Sequence, residues 1–524
     1  MRTPRSLASL CVLVATVLAG APPAAAQDGA VELSWRSCGR AAVAAAQCAT
    51  AALPLDYDRP RGATLDVHVA RVAASDPKRR IGTLFLNFGG PGVAMAEYVE
   101  TFGRGLFPAL GARYDIVGVD PRGTGGTEGA IDCRVDQESQ GLYAQPFPSP
   151  LGLDAVALLT RARRYVHRCL ALTDRRLVRH FSTANTARDL DTVRAALGES
   201  QLHFLGFSYG TFLGATYAAL FPREVGRMVL DGPVDATAYA NHPSRNLLEQ
   251  TAAFERALDR FFAACTADQP ACSAFGGEDP ARDFEALLAR VDAAPIPAAG
   301  SGDRRPVDGD DVRAAAMGAL YSSGEWGRLG YALARAQAGD GAEIRALADA
   351  FYGRERGGGF DPLLDRYFVL GAVEQRFPRD VREAMRAGDR ARGAFAHFST
   401  NAGYVDAYYA LWPVRDRDAF HGPFRLTASA TTPLVTAVTN DPATPFQGAR
   451  RLVRDLGNAR LLTVRADGHT AYGSTGPCAD AAIEGYLLQG TLPARGAVCA
   501  GRQQFTRYQP HATIAAARSV LRRP

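Results

Sequence analysis

Gly206-Phe207-Ser208-Tyr209-Gly210 is the most informative stretch of this 524-residue chain. A short apolar run, His203-Phe204-Leu205, precedes it, and residues Thr211 to Phe221 follow it with helical spacing. This order predicts a strand, a tight turn and a helix, with a serine at the turn. A turn this sharp crowds the neighbouring backbone, so the glycine on either side leaves room that a Cβ would fill. The serine hydroxyl is then pushed out above a sheet, where a histidine can reach it.

Short apolar runs elsewhere in the chain predict a mostly parallel sheet. Strands are expected at 51–55, 65–72, 84–87, 116–120, 228–231, 434–438 and 461–464. Helical stretches between them, such as Thr186 to Leu197, place helices on both faces of this sheet. Gly-rich or polar loops follow several of the strands, where ligands of such sheets bind. Together with the serine turn, which has the pattern of a nucleophile elbow, this organisation predicts an α/β-hydrolase fold.

The region from about residue 236 to 425 has a different pattern. Long helical stretches dominate it, including 246–265, 283–293 and 311–338, and no convincing strand interrupts them. We interpret this region as a helical cap inserted between two strands of the core. The predicted organisation is therefore a leader at 1–26, a first core part at 27–235, the cap at 236–425, and a second core part with the C-terminal tail at 426–524.

The first 26 residues have the pattern of a secretory signal. Arg2 and Arg5 give a positive start, Leu7 to Leu18 is apolar, and Ala24-Ala25-Ala26 is a small-residue cleavage site. The apolar stretch is too short to span a bilayer, and no later segment is long and apolar enough to do so. We therefore expect an exported protein that is cleaved after Ala26.

The cysteines agree with export. Cys11 lies in the predicted leader, so the mature chain would have eight cysteines. An even number of cysteines in an exported chain favours disulfides. The alternative is a set of free buried thiols. The eight fall into four local couples, and we expect neighbours to pair, as Cys38–Cys48, Cys133–Cys169, Cys265–Cys272 and Cys478–Cys499.

The composition is that of an ordinary globular protein, with 47% hydrophobic and 22% charged residues. The formal charge is +5, and without Arg2 and Arg5, since no acid precedes residue 27, it would be +3. This balance predicts neither a nucleic-acid nor a membrane-surface partner. The chain has no Gly-rich phosphate loop and no Cys/His zinc spacing, so we expect neither a metal nor an organic cofactor.

A serine at such a turn needs a base and an acid that follow it in the order serine, acid, histidine. Five histidines follow Ser208, and only His469 lies in a loop directly after a core strand. Asp441 follows the predicted strand 434–438 directly and is the candidate acid. Asp467 is the alternative, but it lies two residues from His469 in the same loop, which makes approach to the far ring nitrogen harder.

Two backbone N–H groups should stabilise the negative charge that develops on a substrate carbonyl. The first is expected from Tyr209, the residue after the serine. The second is expected from the loop Gly89-Gly90-Pro91, where glycine lets the substrate approach the backbone. We favour Gly90, with Gly89 as the next choice.

Several further motifs accompany the serine turn and Asp441. These are Asn87-Phe88-Gly89-Gly90-Pro91-Gly92, Asp120-Pro121-Arg122-Gly123, Leu230-Asp231-Gly232 and Thr444-Pro445. Together they resemble the secreted actinobacterial tripeptidyl aminopeptidases, which belong to the proline iminopeptidase group of serine peptidases. The resemblance runs from about Trp35 to Cys499. It implies a Ser208–Asp441–His469 triad that removes short peptides, expected to be tripeptides, from free N-termini.

The chain departs from this family in the cap. Family members often carry a cysteine and an aspartate in one cap motif, and a second cysteine shortly before a Trp-Pro pair. The matching stretches here, 368–374 and 408–413, lack both cysteines, and the acid becomes Glu374. This pattern is consistent with the loss of one disulfide.

An aminopeptidase also needs an acidic group for the ammonium of its substrate, since a buried charge without a partner is costly. Glu374, Asp235 and Asp231 are the candidates. A secreted carboxylesterase with the same triad would need no such acid and is the alternative function. A non-catalytic binding protein with this fold is disfavoured because all three members of the triad are present.

Overall fold

The computed structural model describes residues 31–39, 45–147, 154–299 and 305–510. These residues form a sheet of ten strands, with the bounds β1 (Arg36–Ser37), β2 (Gln47–Pro54), β3 (Thr64–Val72), β4 (Gly82–Asn87), β5 (Tyr114–Val119), β6 (Leu202–Phe207), β7 (Val225–Asp231), β8 (Leu434–Asn440), β9 (Arg460–Asp467) and β10 (Val498–Ala500). The strand order is β1-β2-β3-β5-β4-β6-β7-β8-β9-β10. The pairs β1–β2, β2–β3 and β3–β5 are antiparallel. All the other neighbouring pairs, from β5–β4 to β9–β10, are parallel. The expected mostly parallel sheet is confirmed.

Six helices accompany the first seven strands. Their bounds are α1 (Met95–Phe102), α2 (Pro108–Gly111), α3 (Ala155–Leu172), α4 (Arg175–Val178), α5 (Thr183–Ala196) and α6 (Tyr209–Leu220). All six residues of β4 are buried, as expected for a strand covered on both faces. Phe85 packs into one apolar cluster with α3, α5 and α6, whereas Leu84 and Leu86 pack into another with α1. Helices therefore cover both faces of the sheet, as the sequence predicts.

The segment between β7 and β8 is helical in its described part. Its helices are α7 (Ala236–Asn241), α8 (Pro243–Ala267), α9 (Pro280–Ala293), α10 (Gly309–Leu320), α11 (Trp326–Gln337), α12 (Ala342–Tyr352), α13 (Leu363–Glu374), α14 (Val381–Ala394) and α15 (Asp406–Leu411). Helices α8 to α12 share an apolar cluster of their own, which includes Phe261, Phe284 and Trp326. Two helices follow in the second core part, α16 (Phe446–Leu456) and α17 (Pro477–Gln489). Helices α7 and α13 to α15 pack instead into the large cluster of the core, through side chains such as Tyr239 and Phe368. The helical segment thus enters and leaves the core at neighbouring strands, and α8 to α12 form its separately packed part.

The predicted helical stretch 311–338 is interrupted in the structure. Helix α10 ends at Leu320 and α11 begins at Trp326. Ser322, in the turn between them, forms an antiparallel bridge with Gly468 in the loop after β9. A contact with a distant part of the chain therefore breaks a helical pattern that continues in the sequence.

The two cap stretches in which family members carry cysteines lie against each other. The ring of Phe368 on α13 is 5.1 Å from that of Tyr409 and 5.5 Å from that of Trp412. Buried aromatic packing therefore joins α13 to α15 where the family's motif would place a disulfide.

All four expected disulfides are present: Cys38–Cys48, Cys133–Cys169, Cys265–Cys272 and Cys478–Cys499. The pairing of sequence neighbours is confirmed. The predicted leader at 1–26 lies outside the described residues. None of the helices in the described ranges combines the length and apolarity needed to cross a bilayer.

Candidate active site

Ser208 lies at the turn between β6 and α6, in a backbone conformation that non-glycine residues rarely adopt. Its φ is 54° and its ψ is −126°. A Cβ at Gly206 would lie 2.6 Å from the carbonyl oxygen of Gly210, and a Cβ at Gly210 would lie 2.8 Å from Oδ1 of Asn87. Both glycines are therefore required by space, and the tight turn leaves Ser208 above the carboxyl ends of the central strands.

Asp441 and His469 form a buried pair at the same edge of the sheet. Asp441 follows β8, and its Oδ2 lies 2.8 Å from Nδ1 of His469, in the loop after β9. The carboxylate also accepts hydrogen bonds from the backbone N–H of Ala443 and from the backbone and hydroxyl of Thr444. Burial lowers the pKa of His469, but the charge of Asp441 and its hydrogen bond outweigh burial and raise the pKa above 6.5.

Ser208 and His469 line one cavity of about 420 Å³, which lies between the core and the cap. Nε2 of His469 is buried and has no hydrogen-bond partner among the described residues, Ser208 included. This nitrogen is therefore free to accept a proton from a serine hydroxyl, and such contacts often tighten only when substrate is bound.

The loop after β4 passes directly beside the nucleophile elbow. The amide of Gly89 donates to Oδ1 of Asn87 at 3.0 Å, so it is already engaged. Gly90 lines the cavity together with Tyr209. Within the described ranges, neither of their amides finds an acceptor. This difference favours Gly90 over Gly89 as the second donor, beside Tyr209.

Two acids that the sequence raised as candidates have other partners. Asp467 pairs with Arg260 on α8, with one N–O distance of 2.8 Å, and not with His469. Asp231 is fully buried and accepts hydrogen bonds from the backbone of Ala471 and Tyr472, just after His469. Asp467 therefore joins the cap to the loop of His469, and Asp231 fixes that loop to the core rather than facing a substrate.

Glu374 lies behind the cavity, where its carboxylate does not reach the lining. It accepts hydrogen bonds from the backbone of Thr183 at 2.8 Å and from its hydroxyl at 2.9 Å. The same hydroxyl contacts the hydroxyl of Tyr209. Burial raises the pKa of Glu374 to about 7, with a further contribution from Asp416. The amine-binding role predicted for Glu374 is therefore a poor match to its position.

Asp235, another acid that the sequence offers for amine binding, lines the cavity together with a second acid and an arginine. Its carboxylate caps α7 through the amide of Ala238 and pairs with Arg451 of α16. Arg451 also pairs with Glu249 of α8, which lines the cavity as well. Glu249 also lies 3.8 Å from the guanidinium of Arg245, an exposed residue one turn earlier on α8 that does not line the cavity. Within the cavity wall, two carboxylates therefore surround one guanidinium, and this part of the wall is here called the acidic end. Glu249 and Arg451 have no motif that would single them out in the sequence.

The rest of the cavity wall is largely aromatic and aliphatic. It includes Phe88, Tyr143, Met317, Phe351, Leu364 and Tyr367. The cavity wall therefore combines the acidic end with a larger apolar area, and Ser208 and His469 also lie in it.

Metal-ligating groups occur outside this cavity. Of the clusters found in the described residues, two include disulfide cysteines, and the third consists of Asp56, His180 and Asp418. None of these side chains is part of the cavity wall.

The family of the chain follows from comparison with known sequences. A family model described as the alpha/beta hydrolase fold matches residues 82–474, three quarters of the chain. The chain belongs to the α/β-hydrolase family. With a serine on its nucleophile elbow, this α/β-hydrolase is an enzyme of the serine hydrolase class.

Three curated relatives cover nearly the whole α/β-hydrolase chain. "Serine protease Hip1" of Mycobacterium tuberculosis is 32% identical over 465 residues, 87% of each chain. "Carboxylesterase B" of the same species is 33% identical over 497 residues, 92% of this chain and 91% of its own. "Tripeptidyl aminopeptidase" of Streptomyces lividans is 30% identical over 513 residues, 94% and 90%. The predicted resemblance is confirmed. Because the identities are so similar and the names differ, the choice of substrate must come from the site.

Proposed function

We propose that this α/β-hydrolase is an exported serine exopeptidase that releases short peptides, expected to be tripeptides, from free N-termini. The observation that carries the proposal is the cavity itself. A serine on a strained elbow and the Asp441–His469 pair meet there, beside an acidic end that a cationic substrate group would need. The resemblance to tripeptidyl aminopeptidases supports the same substrate class.

Ser208 attacks the scissile carbonyl, and Nε2 of His469 takes the serine proton and passes it to the leaving amine. Asp441 holds the Nδ1–H of His469 and stabilises the cationic ring that forms. The amides of Tyr209 and Gly90 stabilise the negative oxygen of the tetrahedral intermediate. Water then hydrolyses the acyl-enzyme through the same groups and releases the N-terminal peptide.

The substrate ammonium is assigned to the acidic end of the cavity. Both acids pair with Arg451, but Asp235 is almost fully buried, whereas Glu249 is about one third exposed. We therefore expect Glu249 to make the direct contact and Asp235 with Arg451 to orient it. Of the candidates predicted from the sequence, Asp235 is retained in this assignment. Glu249 takes the place of Glu374.

Export is supported by the four disulfides, because such bonds persist in oxidising compartments and are rare in a reducing cytosol. The pattern of residues 1–26 supports the same conclusion. Release from the cell and retention in its envelope would both fit these features.

A carboxylesterase with the same triad is the second candidate. The apolar wall of the cavity favours it, since an ester needs no partner for an ammonium group. The acidic end is the feature that argues against it, because an uncharged acyl chain offers no cation to the carboxylates of Asp235 and Glu249.

The two functions are separated by three chromogenic substrates: a tripeptide anilide with a free amine, its N-acetylated twin, and a short-chain nitrophenyl ester. The proposal expects rapid turnover of the free-amine peptide, weak turnover of the acetylated one, and loss of both in Ser208→Ala. If the ester is cleaved and both peptides are ignored, the enzyme is an esterase.

A further inference from the structure

The turn Tyr321–Ser323 between α10 and α11, here called the cap turn, contacts the loop that carries His469. The carbonyl oxygen of Tyr321 accepts the backbone N–H of His469 at 2.7 Å. The Tyr321 ring meets the imidazole edge-on, with centroids 5.7 Å apart. Gly468 has a φ of +111°, and a Cβ there would lie 3.1 Å from the same carbonyl oxygen. The cap turn is thus fitted closely to residues 467–476, the His loop.

A second segment, residues 501–508, crosses both of these parts and is here called the C-terminal strap. The amide of Arg502 donates to the carbonyl of Thr475 at 2.8 Å. The side-chain amide of Gln504 donates to the carbonyl of Ser474 at 2.6 Å, while its backbone N–H lies 3.4 Å from Oγ of Ser323. One residue of the strap therefore contacts the His loop and the cap turn together.

The C-terminal strap continues onto helix α11 of the cap. The ring of Phe505 packs edge-on against Trp326, and the ring of Tyr508 lies 5.3 Å from that of Tyr331. A Cβ at Gly327 would overlap the carbonyl oxygen of Thr506. The strap can lie flat on α11 only because this helical position is glycine.

A third contact comes from α8, where Arg260 pairs with Asp467 at the start of the His loop. The core holds the loop through Asp441 and Asp231, the cap holds it through the cap turn and Arg260, and the strap contacts it from the C-terminal tail. We propose that the cap and the C-terminal strap are positioning elements for the general base, so that alignment of His469 with Ser208 depends on their docking. This inference rests on the proposed role of His469.

The test compares two helix glycines of the full-length protein. Gly327→Ala should lift the C-terminal strap from α11. Gly393→Ala, on α14, is the matched control because a Cβ there would meet nothing within 4 Å. Both changes favour a helix by similar amounts. A fluorophosphonate probe reports the rate of covalent labelling at Ser208 without any peptide, and a nitrophenyl ester reports kcat and KM.

We expect labelling and kcat to fall about tenfold to a hundredfold in Gly327→Ala, with KM unchanged, because a small misplacement of a catalytic group has effects of this size. Gly393→Ala should match the wild type, and melting temperatures should be similar. Gln504→Ala, an exposed change that cannot disturb the core, should slow labelling about threefold to tenfold through one lost hydrogen bond, whereas Gln503→Ala should not.

Equal labelling rates in Gly327→Ala, Gln504→Ala and the wild type would overturn the positioning role. A loss in Gly327→Ala that appears in KM or melting temperature alone would also overturn it, since a purely structural strap has that effect. A wild-type enzyme that is never labelled would instead reject the serine chemistry, and labelling without peptidase activity would reject only the peptide substrate.

Discussion

At Gly89 the chain passes so close to the nucleophile that one added methyl group has no room. Its φ is +94°, and a Cβ would lie 2.8 Å from the carbonyl oxygen of Phe207 and 2.9 Å from the amide nitrogen of Tyr209. Alanine there should shift the oxyanion donors and lower kcat about a hundredfold, the typical effect of losing one donor. Ester kinetics measure this, with Gly105→Ala, which has open space around it, as the control. An unchanged kcat would show that the close approach at Gly89 does not position the oxyanion donors.

Glu249 offers a charge change that leaves the shape of the cavity intact. Glu249→Gln removes the negative charge that this side chain places beside Arg451 and Arg245, so the ammonium of a peptide would lose its proposed partner. We expect KM for the free-amine tripeptide anilide to rise about tenfold, the effect of a charged hydrogen bond worth 1.5 kcal/mol or so. Ester kinetics should not change.

The control for this change is Glu278→Gln, an exposed glutamate between α8 and α9. An equal loss on the ester and the peptide would show that Glu249 supports the cavity without recognising the amine.

We expect the Asp441–His469 pair to set the lower pH limit of activity. His469 acts as a base only when neutral, and its pKa is raised above 6.5 because its pairing with Asp441 outweighs burial. The kcat/KM of the ester should therefore fall as the pH drops through a value above 6.5. Burial raises the pKa of Glu374 to about 7, so this carboxyl titrates in the same pH range. Glu374→Gln should keep the acid limit, and a lost limit in that variant would assign it to Glu374.

The triad and the acidic end of the cavity differ in how far the sequence could predict them. Ser208, Asp441 and His469 each lie directly after a core strand, so strand patterns and chain order suffice to find them. Glu249 and Arg451 lie on the faces of α8 and α16, where their spacing is that of ordinary solvated residues. Only the fold brings them together, and that information is not local.

Among the secondary-structure elements, short and contact-dependent ones escaped prediction. Strands β1 and β10 have two and three residues, too few to show alternation. The cap turn continues a helical pattern and is broken by its contact with Gly468. The long buried strands and cap helices were predictable because burial imposes a period on them. The element that departs from local pattern is the one that contacts the His loop.

The disulfides differ in how much of the chain they constrain. Cys133–Cys169 spans 36 positions and Cys265–Cys272 only 7, and all four cysteines are fully buried. Loop-closure entropy predicts that replacing the first pair by serines lowers the free energy of unfolding by about 4 kcal/mol. Replacing the second pair should lower it by about 2 kcal/mol. Urea unfolding of the two double variants measures the difference. A larger loss for Cys265–Cys272 would show that packing, not chain entropy, dominates.

Across the whole molecule, the stability of the cap should respond to alkaline pH. Nδ1 of His397 lies 2.7 Å from Glu255 on α8, and Nε2 lies 2.6 Å from Glu285 on α9. Burial lowers the pKa of His397, but these hydrogen bonds outweigh it and raise the pKa to about 9. A folded-state pKa above the ordinary value of 6.5 stabilises the fold fully below pH 6.5, and this stability is lost as the pH rises through 9.

The free energy of unfolding should therefore fall by about 2 kcal/mol more in the wild type than in His397→Gln between pH 6.5 and 9. Urea titrations at both pH values measure it, and His167→Gln, an exposed histidine on α3, is the control. Parallel curves for the wild type and His397→Gln would contradict a charged His397 in the cap.

The insertion of the cap also determines the order in which the residues of the candidate triad are synthesised. A polypeptide leaves the ribosome, or a membrane pore, from its N-terminus. Ser208 is synthesised with β1 to β7, but Asp441 and His469 follow only after the entire cap, in the loops after β8 and β9. A nascent or truncated chain therefore carries the nucleophile without its base. Hydrolytic power can therefore arise only after the last part of the core has been synthesised.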